Sequence, residues 1–117
     1  MVRGEFAENP ALDPVRPWLA DDASVVEAGY LVKSLDTRAR AVLAFIAARP
    51  GTPVRFAELG AATTTSTTEV GQVLTRINLF AEALGFVPMV TCENGMVSVS
   101  PVAAEAARQA LRRRRNG

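Results

Sequence analysis

The clearest pattern of apolar and polar positions follows a run of hydroxyl residues at 63–68. Ser66 and Glu69 match the S/T-x-x-E capping box, in which each side chain bonds the backbone amide of the other residue. Gly85 supplies the left-handed position that commonly ends a helix. Between these signals, apolar residues recur at three- and four-residue intervals: Val70, Val73, Leu74, Ile77, Ala81 and Leu84. The spacing predicts a helix of about 18 residues that is marked at both ends.

Two further helices are predicted upstream. The first begins near Asp22, because Asp21 and Asp22 are typical N-cap residues. Asp36 caps the second helix, and Pro50-Gly51 ends it. The first helix has a rough apolar stripe of Val25 or Val26, Gly29 or Tyr30, and Leu35, and the stripe of the second is Ala39, Val42, Phe45 and Ile46.

A short third helix is predicted between these two and the long one. Thr52 serves as its N-cap and Pro53 occupies its first position. Phe56 and Leu59 face inward, and Gly60 ends or bends the helix.

The stretch "VPMVTCENGMVSVS" changes to a two-residue period and predicts a β-hairpin. Asn94-Gly95 is a strong signal for a two-residue turn. This turn sets Glu93, Cys92, Thr91 and Val90 opposite Met96, Val97, Ser98 and Val99. One face of the hairpin is then apolar and comprises Val90, Cys92, Val97 and Val99. Cys92 is therefore predicted to be a small buried apolar residue.

The two ends of the chain differ from the middle. Residues 1–20 contain three prolines and Trp18, which predicts an extended arm that Trp18 docks on the domain. Residues 102–115 are alanine-rich and end in four arginines, which suits the negative end of a helix dipole. We therefore divide the chain into an arm (1–20), one domain (21–111) and a basic tail (112–117).

Composition narrows the function. A chain of 117 residues with 49% hydrophobic residues is long enough for one packed domain. It contains one cysteine and no histidine. No internal disulfide, zinc set or histidine-activated nucleophile is therefore expected, and we predict neither an enzyme nor a cofactor. No apolar run is long enough to cross a membrane, and the acidic, proline-broken start does not resemble a signal peptide. We expect a cytoplasmic protein.

Charge is distributed unevenly although the net charge is only +1. Residues 1–36 carry −4, residues 37–111 carry +1, and Arg112 to Arg115 add +4. The acidic front and the basic end indicate separate roles, or a contact between the front of one copy and the end of another.

The order of helix, short helix, turn, capped helix, hairpin and helix resembles a winged helix-turn-helix domain. The resemblance covers residues 37–111 and includes "FAELG…STTEVGQVLTRINLFAEALGF", which is similar to the paired helices of bacterial winged-helix regulators. It implies an α+β, mainly helical fold with a two-stranded wing hairpin and flanking helices. It also implies a transcriptional regulator that binds double-stranded DNA, commonly as a homodimer. The flanking helices at 22–35 and 102–112 are available for that dimer.

In this family the second helix of the pair lies in the DNA major groove. Carried over to this chain, the base-reading candidates are Thr67, Thr68, Gln72, Thr75 and Arg76. Phosphate contacts would come from Arg38, Arg40, Arg49 and Arg55, and from Arg112, Arg113, Arg114 and Arg115. Two alternatives stay open for the helix face, namely a solvated surface and a contact with a protein partner through Leu79 and Phe80. The arginine tail has its own alternative role as a solubilising segment.

Overall fold

The computed structural model describes residues 15–116, with side chains to residue 114, as an α+β structure that is mainly helical. Over these residues the chain forms five helices and three short strands. Their order is α1 (Asp22–Ser34), α2 (Thr37–Ala47), β1 (Val54–Arg55), α3 (Phe56–Thr63), α4 (Thr67–Ala83), β2 (Thr91–Glu93), β3 (Met96–Ser98) and α5 (Pro101–Asn116). None of the described helices is both long and apolar enough to cross a membrane.

Three helices begin at the predicted caps. Asp21 accepts a hydrogen bond from the Ser24 amide at the start of α1, and Asp36 accepts one from the Ala39 amide at the start of α2. At the start of α4, Ser66 and Glu69 form the complete capping box. Each cap satisfies an amide that the helix itself leaves without a partner.

The end of α4 is also as predicted. Gly85 adopts a left-handed φ of 84°. The Gly85 amide donates to the Glu82 carbonyl and the Phe86 amide donates to the Ala81 carbonyl, which together form a Schellman motif. This pair of bonds fixes the direction in which the chain leaves α4.

The prediction for α3 was wrong at both ends. Thr52 and Pro53 are not helical, and the two residues after them form β1. The helix begins at Phe56 without a side-chain cap and continues past Gly60 to Thr63. Thr64, with a left-handed φ of 54°, ends it. Gly60 serves another purpose, because a Cβ there would lie 2.4 Å from the Thr65 carbonyl oxygen.

The hairpin has the predicted turn and register but gains a third strand. Cys92 pairs with Val97, and β1 pairs with the other side of β3, so the antiparallel order is β1-β3-β2. The ladder stops before Val90, whose amide and carbonyl both bond the side chain of Asn78 at 3.1 and 2.9 Å. A two-stranded wing was therefore an incomplete prediction.

Cys92 is exposed, which corrects the prediction that it is buried. Val90, Val97 and Val99 on the same predicted face are buried. Strand β2 is an edge strand of the described sheet and pairs with β3 alone. Because α4 leaves a groove beside it, the Cys92 side chain reaches this groove rather than the core.

Helices α1 and α5 contribute to one core with α2 and α4. The buried face of α1 contains Val25, Ala28, Leu31 and Val32. Val25 and Leu35 of the predicted stripe are buried, but Tyr30 is 56% exposed and Gly29 is only partly buried, so the middle position of the stripe was wrong. The buried face of α5 consists of alanines: Ala103, Ala104, Ala106, Ala107 and Ala110. These small residues bring α5 close to α1 and α2.

The part of the arm within the described residues is tied to the domain. Trp18 is buried, stacks on Phe86 with ring centroids 4.1 Å apart, and donates its indole N–H to the Val87 carbonyl at 3.0 Å. The Arg16 amide donates to the Gly85 carbonyl, and the Val87 amide donates to the Arg16 carbonyl. The predicted docking by Trp18 is confirmed, while residues 1–14 lie outside the described residues.

Candidate nucleic-acid interface

The face of α4 that points away from the core is polar and exposed, as predicted. The cap at Ser66 and the Schellman motif fix both ends of the helix, and Val70, Leu74 and Ile77 hold its opposite face in the core. Its exposed side chains include the polar Thr67, Thr68, Gln72, Thr75 and Arg76 and the apolar Leu79. The Thr75 hydroxyl donates to the Gly71 carbonyl at 3.0 Å, so it is left free to accept a hydrogen bond.

Part of this face borders an open cleft of about 420 Å³ between α4 and the start of α2. The cleft brings together three of the predicted site residues, Arg38, Gln72 and Arg76. Asp36, Thr37, Glu69 and Val73 complete its lining. It therefore presents two guanidinium groups and an amide, which are hydrogen-bonding groups suited to bases and phosphates.

Two carboxylates in the same cleft balance the two arginines. Arg38 lies 3.3 Å from Glu69, and Arg76 lies 3.8 Å from Asp36. The side chains of both pairs are about half exposed or more. Pairs with this much exposure contribute little, roughly 0 to 1 kcal/mol, and exchange readily for another partner. The cleft is thus electrically neutral in the free protein.

The sequence pattern identified these acids as caps but did not show that they pair with the arginines. Asp36 is the N-cap of α2 and Glu69 is the third residue of α4. Helix N-termini favour nearby carboxylates, and they equally favour bound phosphates. Where the N-termini of two helices approach each other, their capping acids therefore lie at the place where a phosphate would bind. The two capping acids can be recognised in the sequence, but the approach of the two helices cannot.

Two of the predicted phosphate-binding arginines are engaged elsewhere. Arg40 bonds the Leu35 carbonyl and the Thr37 hydroxyl, next to the start of α2. Arg49 donates to the Phe45 carbonyl at 2.9 Å and covers the Phe45 ring at 3.7 Å. Neither lines the cleft at α4. Arg55 is exposed on β1 and shares one row of the sheet with Met96 and Glu93.

The arginine run at the end of the chain continues α5. Arg112, Arg113 and Arg114 are exposed and helical, and Arg115 is helical too, although its side chain lies outside the described part. Arg113 lies 4.0 Å from Asp22 at the start of α1. Arg113 and Arg114 therefore lie beside α1, and the three described side chains, Arg112 to Arg114, do not line the cleft at α4.

An apolar groove of about 480 Å³ runs along the second half of α4. Leu74, Leu79, Phe86 and Pro88 are among its lining residues, and Leu79 is 57% exposed. Cys92 lies in this groove, where partial burial raises the pKa of its thiol. Phe80, which was predicted to lie beside the outward face, is partly buried against the core.

No family model, curated protein or solved structure matches the chain.

Proposed function

We propose that this is a small winged-helix DNA-binding protein that acts as a transcriptional regulator or a related DNA-associated factor. The observation that carries the proposal is the polar part of the exposed face of α4, which holds a single arginine and is anchored at both ends. Solvated helix faces are usually rich in both Glu and Lys. Around this helix, the order of α2, α3, α4 and the three-stranded sheet suits a winged helix-turn-helix arrangement.

The side chains on this face have the chemistry that reads base edges. Gln72 can form two hydrogen bonds with adenine, and Arg76 can form two with guanine. Thr68 and Thr75 supply hydroxyls for bases or phosphates. The rigid helix holds Gln72 and Arg76 four residues apart, so both point the same way into a groove.

Phosphate contacts fall to Arg38 beside α4 and to Arg55 on β1. In the proposed complex Arg38 exchanges Glu69 for a phosphate, and Arg76 exchanges Asp36 for a base. Since both pairs are exposed, little stabilisation is lost in the exchange. The two acids then disfavour binding to the wrong sequence. Where the arginines find no better partner, Asp36 and Glu69 remain near the DNA phosphates and repel them.

The decisive experiment selects a preferred duplex from random DNA and compares it with a scrambled duplex. Gln72→Ala and Arg76→Ala should each lower affinity for the preferred duplex by about 1 to 3 kcal/mol and leave the scrambled duplex less affected. Arg114→Ala is the matched control for Arg76→Ala, because it also removes one positive charge from an exposed helical position, but outside the α4 cleft. An unchanged ratio of preferred to scrambled affinity in both α4 variants would exclude sequence reading by this helix.

A gain-of-function variant tests the exchange of partners directly. Asp36→Ser keeps a good N-cap for α2 and removes the carboxylate from Arg76. We expect tighter binding to the preferred duplex and little change in thermal stability. Weaker binding by a variant that folds normally would show that Asp36 helps to hold Arg76 in its reading position.

A second candidate function is a winged-helix adaptor that binds a protein partner. The observation that favours it is Leu79, which is exposed beside the apolar groove on the same side of α4 as Thr75. An apolar side chain in this place is typical of protein contacts. The adaptor takes precedence if the DNA selection enriches no sequence and if Leu79→Asp abolishes binding to a partner that the wild-type protein binds at a defined stoichiometry.

The homodimer expected from the sequence would use the outer faces of the flanking helices. The apolar faces of α1 and α5 pack together within a single chain, and Arg113 approaches Asp22 of the same chain. The exposed Tyr30 on α1 remains as an apolar contact for a second copy. Sedimentation of the wild-type protein and of Tyr30→Glu tests this dimer, and a wild-type monomer at tens of micromolar removes it from the proposal.

A further inference from the structure

A second cleft, of about 370 Å³, lies between α1 and α5. Its lining combines a floor of small or apolar residues with a cationic rim. Within the described part of the chain the lining consists of Val25, Val26, Gly29, Lys33, Ala110, Arg113 and Arg114, none of which is acidic. A concave surface with one sign of charge raises the local concentration of ions of the opposite sign.

Gly29 borders open space at the floor of this cleft. Glycine within a helix is less favourable than alanine by about 1 kcal/mol, so an interior glycine calls for a reason. Packing does not supply one, because a Cβ at Gly29 would meet nothing within 4 Å. Its φ is not positive either, in contrast to Gly51, Gly85 and Gly95. The space beside Gly29 is therefore open to a ligand, between α1 and the cations of α5.

The three cations on the rim are available to a ligand. Lys33 is in the last turn of α1, and Arg113 and Arg114 are near the end of α5. Among the described residues, the carboxylate paired with this rim is that of Asp22, which lies 4.0 Å from Arg113 and has a side chain that is 98% exposed. Because an exposed pair at this distance is weak, Asp22 does not neutralise the rim.

We infer that the cleft between α1 and α5 binds a small organic phosphomonoester. Guanidinium groups present paired donors that match phosphate oxygens, and the lysine adds a mobile point charge. The floor of Val25, Val26 and Ala110 accepts a small ring or an alkyl group. The volume is at the low end of small-molecule sites, which range over roughly 300 to 1,000 Å³, so the ligand is small. This site shares no lining residue with the α4 cleft.

Phenyl phosphate is the probe, titrated at low ionic strength while amide chemical shifts are recorded by NMR. We expect one site, with the largest shifts at the Gly29 and Ala110 amides. Lys33→Ala and Arg113→Ala should each weaken binding about tenfold, since each removes a charge-assisted hydrogen bond. Asp22→Asn should tighten binding. Arg49→Ala is the control, because it removes an equal charge from a position outside the cleft, where Arg49 bonds the Phe45 carbonyl.

Gly29→Leu separates a built site from general attraction of anions. It keeps every cation and fills the floor, so it should abolish binding of phenyl phosphate while circular dichroism shows an unchanged helix content. Val26→Glu, at a 47% exposed position, is the second variant if Gly29→Leu does not fold. It places a negative charge at the floor and should also abolish binding.

Three results would overturn the inference. The first is undiminished binding by folded Gly29→Leu or Val26→Glu. The second is equal affinity for inorganic phosphate and phenyl phosphate, which would leave the floor without a role. The third is a shift of the Gly29 and Ala110 amides by duplex DNA but not by phenyl phosphate, which would make the rim a surface for phosphodiesters.

Discussion

Ser66 decides, at the scale of single residues, where the proposed reading helix begins. Its hydroxyl accepts from the Glu69 amide at 3.1 Å, and the Glu69 carboxylate reaches the Ser66 amide at 3.4 Å. Ser66→Ala should therefore lower the free energy of unfolding by about 1 kcal/mol, the usual effect of a lost N-cap. Equilibrium urea unfolding measures this change.

Thr68→Ala is the control for Ser66. Thr68 is exposed in the first turn of α4 and is not the cap, so its replacement should leave the urea midpoint nearly unchanged. Equal effects of the two substitutions would mean that the Ser66 hydroxyl does not hold the helix start.

Cys92 offers a second test on one residue, through the pKa of its thiol. Partial burial in the apolar groove disfavours the thiolate and raises this pKa. At mildly alkaline pH the folded protein therefore holds less thiolate than the unfolded chain, and the thiolate is the reactive form. Alkylation by iodoacetamide should be slower in the folded protein, and its pH profile should lie at higher pH than the profile in concentrated urea. Coincident profiles would show that the groove does not desolvate Cys92.

At the scale of elements, the turn between α3 and α4 sets the distance between the paired helices. Its backbone folds back on Gly60, whose carbonyl accepts from the Thr65 amide at 2.8 Å. A Cβ at Gly60 would lie 2.4 Å from the Thr65 carbonyl oxygen. We predict that Gly60→Ala lowers the free energy of unfolding by about 1 to 3 kcal/mol, as overpacking does, despite the better helix propensity of alanine.

Gly71→Ala is the matched control for this turn. Gly71 is also a helical glycine, but the nearest atom to its added Cβ is 4.0 Å away on the Phe56 ring. This variant should gain about 0.5 to 1 kcal/mol from helix propensity. Thermal unfolding of both variants measures the difference, and stabilisation by both would show that the turn adapts without strain.

Local signals explain which elements were predictable from the sequence. The caps at Asp36 and Ser66 and the Asn94-Gly95 turn act through bonds within a few residues, and all three are confirmed. Strand β1 was not predicted because two residues are too few to show an alternation of apolar and polar positions. They form a strand only by pairing with β3. Thr52-Pro53 has the sequence pattern of a helix start, but the two residues after it pair with β3 in the sheet.

The candidate site shows the same limit. The exposed face of α4 was predictable, because the period of its buried residues fixes the opposite side. The pairing of Arg38 with Glu69 and of Arg76 with Asp36 was not, since it depends on how α2 meets α4. Contacts between elements distant in sequence also explain the error about Cys92, whose surroundings are set by α4 and by the edge of the sheet.

At the scale of the whole molecule, the described part of the arm belongs to the domain rather than preceding it. Trp18 is 5% exposed and closes the core over Phe86, and the Leu19 amide bonds the Ser24 hydroxyl at 2.9 Å. The chain entering α1 is thereby attached to the end of α4. We therefore propose that the domain begins before residue 21.

Trp18→Ala tests this attachment. It removes a buried ring that stacks on Phe86 and a hydrogen bond to Val87, and loss of a buried aromatic side chain lowers the free energy of unfolding by about 3 to 5 kcal/mol. A small domain is stable by only about 5 to 15 kcal/mol, so the variant should unfold at a clearly lower urea concentration. Circular dichroism is the measurement, because the chain contains one tryptophan and the variant loses its fluorescence. Leu19→Ala, at a neighbouring 49% exposed position, is the control and should change the midpoint little. If both variants unfold at the wild-type midpoint, the arm lies on the surface without stabilising the domain, and its boundary returns to α1.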